Sequence, residues 1–273
     1  MLSQRRSSRA RDCATATLLA IAASCALLPV RASADDPPTE FAVVISRTES
    51  AYDPAESEGA RAINVELAAA RLDGSIIAPR RQLSFDRVVG PRTEAAGFAG
   101  AQEIVDGRYR DGIGGGICQV ATALHIAALE AGLEITRGRP HSITVPYAEP
   151  GLDAAVVEGR VDLRIRNPYP FPVRVRVRAR DGRLVARIES PRAVPPVEVT
   201  SEHIRTLRPR DELVVDERLR PGARRLLREG REGHLYRVRT IQEDRVVNDR
   251  VVQYPAQPRT YRVGPGETTA EGG

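Results

Sequence analysis

Three consecutive glycines stand directly before an apolar run that carries a cysteine: Gly114-Gly115-Gly116-Ile117-Cys118-Gln119. Such a stretch cannot comfortably extend a helix, but it can turn sharply and let the backbone approach a ligand. The residues from Gln119 to Ala131 then follow a helical pattern. Val120, Leu124, Ala127, Ala128 and Ala131 build its apolar face, and Gly132 is a natural C-cap. Cys118 therefore falls near a helix N-terminus, where unpaired N–H groups and the dipole stabilise a thiolate and an oxyanion alike. Two readings stay open on this local sequence: an activated thiol, or a small buried hydrophobe.

The other two cysteines, Cys13 and Cys25, lie in a segment built like a secretion signal. Arg5, Arg6, Arg9 and Arg11 form a basic start, Cys13 to Val30 is apolar or small, and Ala32-Ser33-Ala34 fits a cleavage site before Asp35. Lipidation of Cys25 is a minor alternative, because Ala22 stands where a larger aliphatic residue is preferred. The apolar run is short for a membrane span of about 20 residues. The reading is therefore an exported chain: periplasmic, cell-wall-associated or secreted, with no membrane partner once the signal is cut. Cys118 is then left without a partner for an intramolecular disulfide.

Charge follows the same division. Residues 1–34 hold five of the 41 basic residues and one of the 36 acidic ones, so the remainder carries 36 basic and 35 acidic groups. A net charge of +5 falls to +1, which removes the main support for a nucleic-acid partner. Every basic residue is arginine, so no lysine amine can serve as nucleophile or base. One cysteine and four scattered histidines offer no Cys-x-x-Cys or His-x-x-x-His spacing, which argues against a metal site. No cofactor is implied, and the oligomeric state stays open.

The pattern predicts an α+β domain over about residues 40–190, with a central helix after the glycine-rich loop packed on antiparallel strands. A small all-β domain follows. Phe41 to Ser46 reads as a strand. Gly59 to Leu72 reads as a helix with Ala60, Ile63, Leu67, Ala68 and Leu72 inward, ended by Asp73-Gly74. Ile76 to Pro79 and Leu83 to Phe85 read as extended, and Asp111 to Gly116 as loop. Val156 to Ile165 carries a β signal. Val173 to Arg178 alternates strictly and turns at Asp181-Gly182 into Leu184 to Ile188. Beyond a linker at 191–196 the strands expected are Val197 to Thr200, Leu213 to Glu217, Leu235 to Ile241 and Arg245 to Tyr254. Turns are expected at Pro221-Gly222, Arg231 to Gly233 and Asn248-Asp249. His203 and His234 stand singly in polar sequence and read as surface histidines.

An ordered set of residues resembles the VanW-like family. It begins with Arg61 to Asn64 and Leu83 to Phe85, then Gly90-Pro91-Arg92-Thr93 and Gly97-Phe98-Ala99. The strongest block runs from Gly112 to Val120, with Thr122 and Leu124 behind it. Ala131 to Ile135, His141-Ser142, Gly151 to Ala154 and Asp162-Leu163 complete the match. Ala121, His125 and Arg80 depart from the usual pattern. The C-terminal stretch, about 197–266, resembles a G-five module. The division implied is a signal peptide at 1–34, a VanW-like domain at 35–190, the linker, the module at 197–266 and a tail at 267–273.

The family resemblance implies peptidoglycan L,D-transpeptidase activity, with peptidoglycan stem peptides as partners and Cys118 as nucleophile. His141, which follows a glycine- and proline-containing turn, is the candidate base. Asp153 or Asp162 would orient it. Backbone N–H groups of Gly115, Gly116 and Ile117, beside the thiol, are the candidate oxyanion hole. Arg92 and Arg139 are candidates to hold stem-peptide carboxylates, and Thr93, Gln119 and Ser142 complete the candidate substrate contacts. His125 lies seven residues after Cys118, two helical turns along and about 10 Å away, which suits a structural or groove residue better than a base. The module resemblance implies wall-glycan binding or adhesion. Two alternatives remain beside the transpeptidase: a Cys–His wall peptidase or amidase, and a non-catalytic peptidoglycan-binding protein.

Overall fold

In a computed structural model of the chain, residues 40–105 and 108–267 are described; the signal-like segment and all but the first residue of the tail fall outside them. Pro37–Gly273 forms one compact unit. Its strands pair antiparallel, except for one parallel pair noted below.

The chain opens with β1 (Val43–Ala51), longer than the apolar run alone indicates because its outer residues are polar. Helix α1 (Ala60–Leu72) follows Gly59, which adopts φ +86°. It buries Asn64, Val65, Ala68, Ala69 and Leu72 and leaves Ile63 about half exposed. The inward face is thus rotated from the one that apolar spacing alone predicts. Asn64 is the reason: its amide donates to Ala99 O and Gly115 O, both at 3.0 Å, and accepts from Ala99 N at 2.8 Å. A buried amide is retained only with such partners.

Two short strands, β2 (Ile76–Ile77) and β3 (Gln82–Ser84), come next. Phe85, expected to be extended, instead starts the short helix α2 (Phe85–Val89), capped by the Ser84 hydroxyl, which accepts from Arg87 N. After β4 (Gly100–Val105), β5 (Arg108–Ile113) takes up half of the stretch expected to be loop. Only Gly114 to Gly116 turn. Gly114 and Gly116 have φ +98° and +102°, and a Cβ on Gly115 would lie 2.3 Å from Gln102 O. Helix α3 (Ile117–Glu130) starts at once, and Gly132 at φ +68° follows its end as expected. This helix is buried on nearly every side, including Gln119, Thr122 and His125. Its mean hydropathy fits an enclosed helix better than a one-sided one.

Then come β6 (Glu134–Arg137), β7 (Arg164–Arg166), β8 (Val173–Arg180) and β9 (Arg183–Ser190). Strand β8 alternates buried valines with outward arginines, and Asp181-Gly182 makes the expected hairpin with positive φ at both residues. The sheet order β1-β9-β8-β2 forms the floor on which α1 and α3 pack. Ser46 Oγ donates to Ala127 O at 2.7 Å and Thr48 to Glu130 at 3.0 Å, tying α3 to β1.

The C-terminal stretch is all β. Its strands are β10 (Val197–Leu207), β11 (Asp211–Val215), β12 (Arg224–Arg228), β13 (Gly233–Gln242), β14 (Arg245–Tyr254) and β15 (Arg259–Val263). They form two sheets ordered β10-β13-β14 and β11-β15-β12, and β11 with β15 is the parallel pair. The turn expected at Asn248-Asp249 lies inside β14. The hairpin instead bends at Glu243-Asp244, both at positive φ, a loop without the glycine or asparagine that marks such turns. Leu129 and Leu152 share a second small core with Val238, Val252 and Tyr254, joining this stretch to α3.

Candidate active site

Three side chains along one face of α3 hold a single extended segment. Cys118, Thr122 and His125 stand at i, i+4 and i+7, one above another on the helix surface. The Cys118 sulfur lies 3.5 Å from both Val156 N and Val156 O. Thr122 Oγ1 accepts from Ala154 N at 3.0 Å and donates to Ala154 O at 3.3 Å. His125 Nδ1 meets Leu152 O at 2.7 Å. Residues 152–156 thus run antiparallel to the helix, with every second residue on it. This arrangement overrides the β signal of Val156 to Ile165, where only the isolated Val157–Val161 bridge and the start of β7 pair as strands.

The alternate residues of that strap face the other way. Ala155 N donates to Arg139 O at 2.8 Å, which sets the segment before His141 alongside the strap. Asp153 then receives two bonds from His141 on one oxygen, the backbone N–H at 2.7 Å and ring Nδ1 at 2.6 Å. Its side chain is fully enclosed. The His141 ring also lies near enough to the Cys118 thiol for each to shift the other's ionisation. With Nδ1 committed to Asp153, Nε2 is the nitrogen left for sulfur. Cys118 itself is half-buried. The structure therefore brings Cys118, His141 and Asp153 into one row.

The electrostatics follow from that row. Burial pushes the Cys118 thiol up, but the His141 bond and charge, the Val156 N–H and the Arg92 charge outweigh it and bring the thiol below its usual range. Burial pulls His141 down, yet its bonds to Asp153 and Cys118 raise it to about 9. Burial raises Asp153, and the His141 bonds hold it low. These directions all favour the charged forms, a thiolate, an imidazolium and a carboxylate. Position 118 is also the second residue of α3, where first-turn N–H groups lack helical acceptors.

Other predicted site residues are placed differently. Asp162 is remote from His141. It accepts from Asp86 N at 3.0 Å, Ser84 Oγ and Arg164 Nε at 2.8 Å, and so caps α2. Arg92 is ion-paired with Asp86 and its side chain is only 8% exposed, so its charge reaches Cys118 but already has a carboxylate. Ile117 N–H donates to Gly114 O at 3.1 Å inside the turn, which takes it from the oxyanion hole. Gly115 and Gly116 remain beside the sulfur-bearing turn. Gly115 presses its backbone against β4, and Gly116 packs on Val65 and Arg61. Thr93 caps a short 3-10 turn by accepting from Ala96 N, and Arg139 is exposed.

Gln119 is buried. Its amide donates to Ser50 Oγ and Ala51 O at 3.0 and 2.7 Å and accepts from Arg61 at 3.1 Å, so it is a tether between α3, β1 and α1. It borders a cavity of about 390 Å³ that Tyr52, Asp53, Glu56 and Tyr147 also line. The His141 ring meets Tyr147 edge-on at 6.4 Å. Ser142 borders a second cavity of about 350 Å³ with Arg231, Glu232, His234 and Tyr254.

Sequence reasoning missed two residues. Tyr254 donates its hydroxyl to the second oxygen of Asp153 and accepts from Gly151 N at 2.6 Å. Arg250 lies 3.3 Å from His125 Nε2 and 3.4 Å from Gly151 O. Both come from β14, a strand whose pattern carries no sign of a long-range partner. Burial and the nearby Arg250 charge hold His125 down at about 4, so it is a neutral structural histidine, as its spacing from Cys118 predicts. His203 is exposed, while His234 is half-buried against His203 and Tyr236. Among the described residues no helix is long and apolar enough to cross a membrane.

Comparison with known proteins places this site in context. Residues 60–189 match the family model described as VanW like protein. The chain is 42% identical over 113 residues to the uncharacterized protein YoaR of Bacillus subtilis, covering 41% of this chain and 37% of that one. It is 27% identical over 134 residues to the vancomycin B-type resistance protein VanW of Enterococcus faecalis, covering 47% and 48%. The chain thus spans less than half the length of the curated relatives it matches. Two solved G5 domains resemble short parts of it. HP0197-G5 has a TM-score of 0.18 at 22% identity, with 25% of this chain and 97% of that one covered. The IgA1 protease G5 domain has 0.19 at 19%, with 27% and 95% covered. Residues 60–189, slightly less than half of the chain, are thus similar to the VanW-like family.

Proposed function

We propose that this is an exported cell-wall protein that works as a peptidoglycan L,D-transpeptidase, with Cys118 as nucleophile. One observation carries the reading: a cysteine near a helix N-terminus, electrostatically coupled to a histidine whose Nδ1 is held by an enclosed aspartate. This is the nucleophile–base–orienter logic of acyl transfer. The similarity to a vancomycin-resistance protein supports a wall setting. The signal-like segment at 1–34 belongs to the same reading.

The Cys118 thiolate attacks the carbonyl carbon of the third stem residue, and the carbonyl π pair moves to oxygen. First-turn N–H groups, with Gly116 and Cys118 as the candidates, receive that oxyanion. As it collapses, the C–N bond to the terminal D-alanine breaks and the leaving amine takes the proton from His141. A thioester remains. An amine of a neighbouring stem attacks it and gives its proton back to His141. The C–S bond then breaks, leaving a new amide and the thiolate. Asp153 stabilises imidazolium whenever it is present and keeps Nε2 aimed at sulfur.

The test is to incubate the protein with tetrapeptide muropeptides and analyse products by mass. A dimer lighter than two monomers by one D-alanine is expected, and Cys118→Ala should give none. His141→Ala should lower the rate roughly 10²- to 10⁴-fold. A tripeptide monomer would assign hydrolysis instead, and unchanged muropeptides would reduce the protein to binding.

A further inference from the structure

We propose that the C-terminal β stretch is a working part of the Cys118 site, with Tyr254 as the positioning residue that fixes Asp153 and, through it, His141. The inference rests on the reading of Cys118 as an activated thiol.

Asp153 is the enclosed anion of the row, and its two oxygens have separate suppliers. His141 fills one, with backbone and ring N–H together. Tyr254 fills the other. Without Tyr254 a buried carboxylate oxygen would lose its donor, and a carboxylate in that state must turn toward another partner or take up a proton. Either response loosens the ring bond that holds His141. Tyr254 is well suited to remain a donor, since burial and the Asp153 charge push its ionisation far above the usual phenol range.

The same hydroxyl also accepts from Gly151 N, so one atom pins both the strap and its aspartate. Gly151 itself has φ +94°, and a Cβ there would lie 2.7 Å from the Val238 side chain of β13. The strap is therefore shaped against this sheet. The tyrosine ring is 2% exposed and anchored among Leu129, Leu152, Val238 and Val252. Arg250, four residues earlier on the same strand, lies against the Gly151 carbonyl and His125. A domain that merely carried the protein to its target would have no need to complete a buried ion pair elsewhere.

The groups that set the charge balance are few. Cys118 faces His141 and Arg92; His141 faces Cys118, Asp153 and the Tyr147 edge. Asp153 faces His141, Tyr254, Arg250 and His125. Removing the Tyr254 hydroxyl leaves all other charges in place.

The experiment is the pH profile of iodoacetamide labelling at Cys118 in the full chain, read by peptide mass spectrometry so that Cys13 and Cys25 are counted apart. Tyr254→Phe keeps the ring and its packing. Its labelling midpoint should rise by about one pH unit, a tenfold shift in the ionisation constant of the thiol. Arg250→Gln should move it the same way by less. Tyr261→Phe, remote from Asp153, should leave it in place. A folded Tyr254→Phe protein with an unmoved midpoint would overturn the proposal, because a purely structural role lowers melting temperature without moving the thiol. The labelling needs no wall substrate. If muropeptides fail to react while the midpoint still moves, the coupling stands and the transpeptidase reading falls.

Discussion

Tyr254 and Asp153 are 101 residues apart in the chain and share a hydrogen bond inside the same buried site. Asp153 sits on a strap laid along α3, and Tyr254 ends a strand of the C-terminal sheet. The contact makes the candidate site a product of both halves of the chain.

Acid should weaken the fold through His125. Its ordinary value is 6.5 and the folded one is about 4, because burial and Arg250 disfavour the charged form. The stability this contributes is fully present above about pH 6.5 and is lost as pH falls through 4. The span corresponds to about 3 kcal/mol. Urea melts at pH 7 and pH 4 should show this loss. In His125→Gln the protein should be weaker at pH 7, and the drop between the two pH values should shrink.

Gly115→Ala should destabilise the fold by about 1–3 kcal/mol, the usual cost of overpacking. A methyl there would sit 2.3 Å from Gln102 O and 2.8 Å from the Ala101 carbonyl carbon, and backbone does not yield as a side chain does. Thermal melting checks it. Gly74→Ala, with open space around it but a φ of +82°, should cost only the backbone strain.

Thr122→Val should loosen the strap without emptying the core. The valine keeps the shape, but Ala154 N–H loses its acceptor and Ala154 O its hydroxyl donor. The expected cost is about 1–3 kcal/mol. Hydrogen exchange should show faster opening at Ala154, and Cys118 labelling at pH 7 should slow as Asp153 shifts.

Much of the α3 region was legible because local chemistry dictates it. Three glycines must turn, the residues after them repeat at helical spacing, and Gly132 closes the helix with positive φ. The β8–β9 hairpin was equally plain from its alternation and Asp181-Gly182. What misled around the site was a partner from far away. Asn64 turned the face of α1 toward Gly115, leaving Ile63 outside. Val156 looked like a strand residue, yet its backbone meets sulfur. Gln119 and Arg92, read as substrate contacts, are held by Ala51 and Asp86. Of the two aspartates left open by the sequence, only Asp153 reaches His141, because the strap's pairing with Arg139 brings it there. Tyr254 gave no signal, since a buried tyrosine at a strand end usually needs no more than packing.

His141, held by Asp153, lowers the pKa of the Cys118 thiol. The most direct measurement is the pH dependence of iodoacetamide labelling at Cys118, compared with His141→Ala. Rapid labelling at pH 7 is expected, with a midpoint below the ordinary thiol value of about 8.5, and a midpoint near or above that value in His141→Ala. Slow labelling at pH 7 with the same midpoint in both proteins would contradict it, and would leave Cys118 a packed cysteine.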